Sequence, residues 1–142
     1  MSLINIYTVC SYKGIRKGDG AFLYILETET EYGPATVTHR DEYKDMTANE
    51  MYLSGIIGAL KHITKPCERI CVCIESQYIE TAINQWLPSW IESDFKKSNG
   101  AAVSNADKWR ELVELLKIHG NYSFWNEQQH EYRRWLKNEV MK

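Results

Sequence analysis

Apolar and polar residues alternate from Leu3 to Val9, the period of a strand with one buried face. The run then enters a polar stretch, Ser11–Asp19, which holds Gly14 and Gly18 and reads as a loop. A second strand is predicted over Ala21–Thr30, with Phe22, Tyr24 and Leu26 on one face. Tyr32-Gly33-Pro34 is a turn signal, and the β-branched run Ala35–His39 completes a three-stranded antiparallel meander. The period then changes. Leu53, Ile56, Ile57, Leu60 and Ile63 recur at helical spacing behind Thr47, a good N-cap, and Pro66 lies beyond the end. Ile70–Glu75 is a continuous apolar run of the kind a buried parallel strand carries. Ser76 caps a predicted helix bearing Ile79, Ala82, Ile83 and Trp86, which Pro88 is expected to stop. After irregular Trp90–Ala102, a helix over Asp107–Ile118 presents Trp109, Leu112, Val113 and Leu116, with Gly120 as its stop. A short strand, Asn121–Trp125, and a terminal helix, Gln128–Met141 with Trp135, Leu136 and Val140, close the chain. The order βββαβααβα predicts an α/β fold, a mixed five-stranded sheet with helices on both faces. Residues 1–142 are long enough for one domain with a single sizeable core.

Composition adds little to that picture. The chain is 44% hydrophobic and 25% charged, that of an ordinary soluble globule. No apolar run reaches the ~20 residues of a membrane span, and the N-terminal residues lack a signal-peptide layout, so the cytoplasm is the expected compartment with no membrane partner. The net charge of −2 is uneven: residues 1–95 hold 8 Lys/Arg and 13 Asp/Glu, residues 96–142 hold 9 and 6. The basic end would attract a polyanion, although a solvated helix surface would look the same. Cys71 and Cys73 alternate on the predicted fourth strand, with Cys67 before it and Cys10 far away. The spacing CxxxCxC is no zinc knuckle, and buried thiols packing as small hydrophobes are expected.

The motifs point further. The strand and loop Ile4-Asn5-Ile6-Tyr7-Thr8-Val9-Cys10-Ser11, the helix start Thr47-Ala48-Asn49-Glu50-Met51-Tyr52-Leu53, and Ile74-Glu75-Ser76-Gln77-Tyr78-Ile79 resemble ribonuclease H. So do Trp86, Trp90, Lys96-Lys97, Val103, Asn105, Asp107 and Trp109, which are similar to the bacterial type's helix, basic protrusion and following helix. The Gly18-Asp19-Gly20-Ala21 turn resembles the family's glycine-rich loop. The resemblance covers nearly the whole chain and implies the ribonuclease H fold. In that family three or four carboxylates hold two magnesium ions that cut the RNA strand of an RNA/DNA hybrid.

Two-metal hydrolysis needs cations that activate water and stabilise the leaving oxygen, and magnesium is kept by several carboxylates. By resemblance the first acid falls on Val9, which offers no ligand. The second falls on Tyr52, a neutral phenol near pH 7. The third falls on Glu75, the one carboxylate kept, and the fourth on Arg134. An Arg134–Glu75 ion pair would set an internal cation where the metals should sit; Arg134 in solvent is the alternative. The segment Trp125-Asn126-Glu127-Gln128-Gln129-His130 lacks the Gly-His-rich loop that the resemblance implies; His130 stands in for it or lies at the surface as a lone histidine. A relocated acid cluster would need Glu75, Glu127 or Glu131, and one more acid to converge.

The resemblance also implies binding residues. Thr47 and Asn105 match the family's phosphate pocket, Asn49 and Gln77 match its minor-groove contacts, and Lys96 and Lys97 lie in the basic protrusion. Each has a plainer role available: Thr47 and Asn105 as helix caps, Asn49 and Gln77 solvated or bonded to backbone, the tryptophans as core. With two lysines in the protrusion, phosphate neutralisation is modest and binding should be weak and salt-sensitive. The sequence therefore predicts a catalytically impaired ribonuclease H-like protein that binds an RNA/DNA hybrid or double-stranded RNA without cofactor. Two alternatives stand beside it. One is an active ribonuclease with relocated carboxylates and Mg2+, the other a protein-interaction module on the same scaffold.

Overall fold

A computed structural model of the chain describes residues 3–127 and 130–142. Strands β1 (Leu3–Gly14), β2 (Gly18–Thr30) and β3 (Gly33–Met46) form an antiparallel meander. Helix α1 (Ala48–His62) carries the chain to β4 (Arg69–Ile74), which pairs parallel with β1. Two short helices, α2 (Gln77–Thr81) and α3 (Leu87–Glu92), are joined by a π turn, Ala82–Trp86. Helix α4 (Ala106–Leu116), strand β5 (Asn121–Asn126, parallel to β4) and helix α5 (Arg133–Val140) follow. The sheet order is β3-β2-β1-β4-β5, the mixed five-stranded α/β architecture that the periodicities predict. Among the described residues no helix is long and apolar enough to cross a membrane.

The first three strands outrun their alternation. β1 continues through Gly14 and β2 begins at Gly18, so the expected Ser11–Asp19 loop contracts to residues 15–17. Asp19 is paired in the sheet opposite Lys13 rather than lying in a loop. Beyond the core both faces of a hairpin meet water, so apolar alternation stops while backbone pairing continues. β3 likewise runs past His39 to Met46, a charged and largely exposed edge strand.

Thr47 caps α1 as expected, its hydroxyl accepting from the Glu50 N–H at 3.1 Å, and Ser76 caps α2 through the Ile79 N–H at 3.2 Å. A Cβ at Gly55 would lie 2.1 Å from Phe22 Cγ, so the Phe22 ring packs directly on the α1 backbone. Pro88 does not end its helix. A proline ring clashes with the carbonyl four residues back in a regular helix, and the chain widens into the π turn just before it. Asn105 sits before α4 in the left-handed region (φ 60°) and its side chain makes no capping bond. The terminal helix begins at Arg133, later than its pattern predicts. Gln128 and Gln129, where the sequence starts it, lie outside the described residues.

The sheet has a core on each face. The larger gathers Ile6, Phe22, Tyr24, Val72 and Ile74 against α1 (Leu53, Ile56, Leu60) and α4 (Trp109, Leu112). The smaller sets Val9, Ala21, Leu23 and Ile25 against Leu136 and Val140 of α5. Fully buried apolar side chains of this size contribute roughly 1.5–3 kcal/mol each. Trp135, expected in the α5 core, is exposed instead. The four cysteines are free thiols; Cys67 and Cys73 are buried, Cys10 and Cys71 partly so.

Candidate functional site

The parallel pairing of β1 with β4 ends at Tyr7 and Cys73, beside the start of α1, and α5 packs on β1 and β2. A cleft of about 320 Å³ opens there, lined by Cys10, Tyr12, Ala48, Asn49, Tyr52, Glu75, Ser76 and Lys137. Tyr52 projects from α1 to its floor. The single hydroxyl proton of Thr8 goes to the Cys73 carbonyl (2.8 Å), so the Tyr52 phenol donates to Thr8 Oγ1 (2.7 Å). The same phenol accepts from the Glu75 N–H (2.8 Å), tying β1, α1 and the end of β4 together. Burial raises the Tyr52 pKa well above the ordinary phenol value, so the proton stays on it.

Glu75 is the carboxylate of this cleft, its side chain only 12% exposed. Lys137 Nζ lies 2.6 Å from one carboxylate oxygen and Arg133 Nε 3.4 Å from the other. The arginine contact is one of charge, since its buried Nε–H is not aligned as a hydrogen bond. Val9 is 1% exposed and belongs to the smaller core. Burial pushes the Cys10 thiol up to about 11 against an opposing pull from Lys137, so it is not a thiolate at neutral pH.

The expected Arg134–Glu75 pair does not form. Arg134 is exposed, while Arg133 and Lys137, four residues apart on α5, share the face turned to Glu75. Sequence reading missed both cations by fixing on position 134. The signal was present, because burial of Leu136 and Val140 sets the helix's rotation. Thr8, Cys10 and Tyr12 were missed too, and only the paired strand reveals them. His130 packs its ring on Tyr7 (centroids 4.9 Å) and its Nδ1 accepts from the Tyr132 N–H at 3.2 Å, a packing role.

The relocated acid cluster is not assembled either. Glu131 is exposed, and among the described residues no group of three or more His, Cys, Asp and Glu side chains is gathered as a metal site. Magnesium takes a near-octahedral set of oxygens at about 2.0–2.1 Å, several of them from water and substrate, on more than a single committed carboxylate. Here Val9 supplies no donor, the Tyr52 phenol is protonated and fully engaged, and two cations hold Glu75. These residues do not fit a pair of magnesium ions.

The expected binding residues fall in three places. Asn49 is exposed at the cleft, and the Thr47 hydroxyl below it is used as the helix cap. Gln77 is exposed, its amide donating to Glu80 (3.3 Å) and Thr81 (3.0 Å) on its own helix. Lys96 and Lys97 are exposed beside a tight turn closed by Lys97 N–H to Ala101 O (2.7 Å). They line a surface depression of about 460 Å³ with Trp86, Trp90, Gln85 and three serines. Asn105 is half-buried before α4. Trp86, Trp90 and Trp109 form one ring series (centroids 5.8 and 5.4 Å) running from a 41% exposed indole to a wholly buried one.

This sheet order, with a cleft where the β1–β4 pairing ends and helices on both faces, defines a ribonuclease H-like α/β scaffold. A family model described as RNase H matches residues 2–128. The ribonuclease H of Clostridium botulinum (strain Hall) is 34% identical over 122 residues, 84% of this chain and 78% of that one. The ribonuclease H of Sulfurovum sp. (strain NBC37-1) is 39% identical over 90 residues, 61% of this chain and 57% of that one. The chain thus spans little more than half of that relative's length. Among solved structures, a type 1 RNase H with the type 2 active-site motif superposes with a TM-score of 0.80 at 20% identity, covering 99% of this chain and 71% of the other. A foamy viral protease-reverse transcriptase in complex with an RNA/DNA hybrid gives 0.71 at 14% identity, over 98% of this chain and 19% of that one. The chain belongs to the ribonuclease H family.

Proposed function

We propose that this protein binds nucleic acid, an RNA/DNA hybrid or double-stranded RNA, without cutting it. The carrying observation is the Glu75 carboxylate held by Lys137 and Arg133. Positive charge already stands where the family resemblance puts metal ions, and the neighbouring acid positions are Val9 and Tyr52. Internal cations can attract a phosphate backbone, but a lysine ammonium generates no hydroxide and cannot replace the water-activating role of a metal. The residues proposed to bind are Asn49 at the cleft, Gln77 at the start of α2, and Lys96 and Lys97 at the second depression. Thr47 and Asn105, at the starts of α1 and α4, are the residues that the family resemblance assigns to a phosphate of the DNA strand. Such contacts read phosphate and 2′-OH shape rather than sequence. The related reverse transcriptase solved with a hybrid supports that choice of partner. No cofactor is required, and free thiols suit a reducing compartment, the cytoplasm.

Fluorescence anisotropy with a labelled hybrid at low salt and with chelator present tests the binding. Saturable binding that weakens in the Lys96→Ala/Lys97→Ala variant is expected. No binding by the parent protein would overturn the reading. A second reading, an active ribonuclease, is favoured by relatives such as the Clostridium botulinum protein that carry that name. It requires Mg2+-dependent cleavage that disappears in Glu75→Gln.

A further inference from the structure

A depression of about 440 Å³ lies where α1 hands the chain to β4, and it shares no lining residue with the cleft or with the lysine-lined depression. Ala48 at the cleft and His62 here are the two ends of α1, about 21 Å apart at ~1.5 Å per residue. The floor is sheet. Leu26 pairs with Val37, and Thr28 pairs with both Ile4 and Ala35, so these side chains share the face that carries the larger core. Helix α1 stops short of covering them, and Ile63 and Pro66 of the connecting segment supply the rest of the apolar lining. The rim of that core is therefore open: Ile4, Leu26 and Ile63 are only partly buried, and Val37 is 50% exposed. A largely apolar concavity of about 300–1,000 Å³ is of the size that takes a small organic ligand.

The charged groups at this depression set the sign of that ligand. Lys65 is exposed on its lining and forms no ion pair with another described residue. The one acid among its described lining residues is Glu27, whose carboxylate is taken on the opposite face of the sheet. There Asn5 donates to one oxygen at 3.2 Å and Tyr132, which packs on the smaller core, donates to the other. The carbonyl end of α1 opposes an anion with about half an elementary charge, less than the full ammonium of Lys65 supplies. An apolar floor with one uncommitted cation beside it is complementary to an apolar chain that ends in an acid.

We propose that this depression is a small-ligand site for a medium-chain alkanoate, whose chain lies over Ile4, Leu26 and Val37 while its carboxylate meets Lys65. The site stands apart from the hybrid-binding reading, since it lies at the other end of α1 and uses none of the residues assigned to nucleic acid.

Methyl NMR titrations of the whole chain with hexanoate, octanoate, decanoate and decylamine test it. Decanoate should shift the methyl signals of Ile4, Val37 and Ile63 saturably and leave those of Val9 and Val140, in the smaller core, in place. Each methylene added to the alkanoate should tighten binding by about two- to fourfold, as burial of apolar surface requires. Decylamine should bind about two- to fivefold more weakly than decanoate, the scale of an exposed charge contact, and Lys65→Glu should reverse that order. Ala35→Trp, at an exposed position of the edge strand, should fill the depression and abolish binding while the urea midpoint and the affinity for a hybrid stay parental. Absence of saturable shifts at Ile4, Val37 and Ile63, an affinity independent of chain length, or parental binding in Ala35→Trp overturns the site. Decylamine binding as tightly as decanoate overturns the choice of an acid, and none of these outcomes bears on the hybrid reading.

Discussion

Tyr52 and Val9 show how single residues commit this site to structure. Tyr52→Phe deletes a phenol that bridges Thr8 and the Glu75 N–H. It leaves a buried donor unpaired, at a cost of about 1–3 kcal/mol. Urea unfolding should show the loss, with binding of a hybrid little changed. Val9→Asp restores by residue type the acid that the family resemblance expects. In this chain it sets a carboxylate into a core shared with Leu136 and Val140. An unpaired buried charge of that kind costs about 3–5 kcal/mol. A large drop in the urea midpoint with no gain of Mg2+-dependent cleavage is expected; a variant as stable as the parent would contradict the burial argument. Val9 and Tyr52 were legible in the sequence as positions where the family resemblance expects acids. What they do instead was not, because a sequence does not show which atom occupies the space that a ligand leaves.

Elements were read best where one face is buried and worst where neither is. α1 announced itself through Leu53, Ile56 and Leu60, and its cap through Thr47. Thr47→Ala should cost about 1 kcal/mol in urea unfolding and Thr47→Ser almost nothing, since the hydroxyl that accepts from Glu50 is kept. A hybrid affinity that falls in Thr47→Ala and returns in Thr47→Ser would add a phosphate role to the cap. The hairpin beyond Cys10 and the charged half of β3 escaped the same reading, because strands with two wet faces carry no alternation. Pro88 misled for a different reason: a π turn absorbs the ring that a regular helix could not. On α5 the rotation was decidable from Leu136 and Val140, which turn Arg133 and Lys137, not Arg134, toward Glu75.

For the molecule as a whole, burial of ionisable groups sets the alkaline limit. Cys10 and Cys73 are pushed up to about 11, and Tyr7, Tyr24 and Tyr43 to about 12, each chiefly by desolvation. In the unfolded chain these groups ionise near 9 and 10, so above about pH 9 the unfolded state releases more protons than the folded one. Stability from this source is complete below pH 9 and declines as pH rises toward 12. Urea midpoints that are level up to pH 9 and fall steadily by pH 11 are expected; a midpoint flat to pH 11 would contradict it.

Fold and cleft together make this chain a ribonuclease H scaffold with Glu75 paired to Lys137 and Arg133, and the proposal is that this pairing stands in place of metal. Incubation of saturating protein with an end-labelled RNA/DNA hybrid, with Mg2+ or Mn2+ and with chelator as control, measures that claim directly. The hybrid should be recovered bound and intact under every condition. Metal-dependent RNA fragments that vanish in Glu75→Gln would show that the carboxylate serves a metal after all.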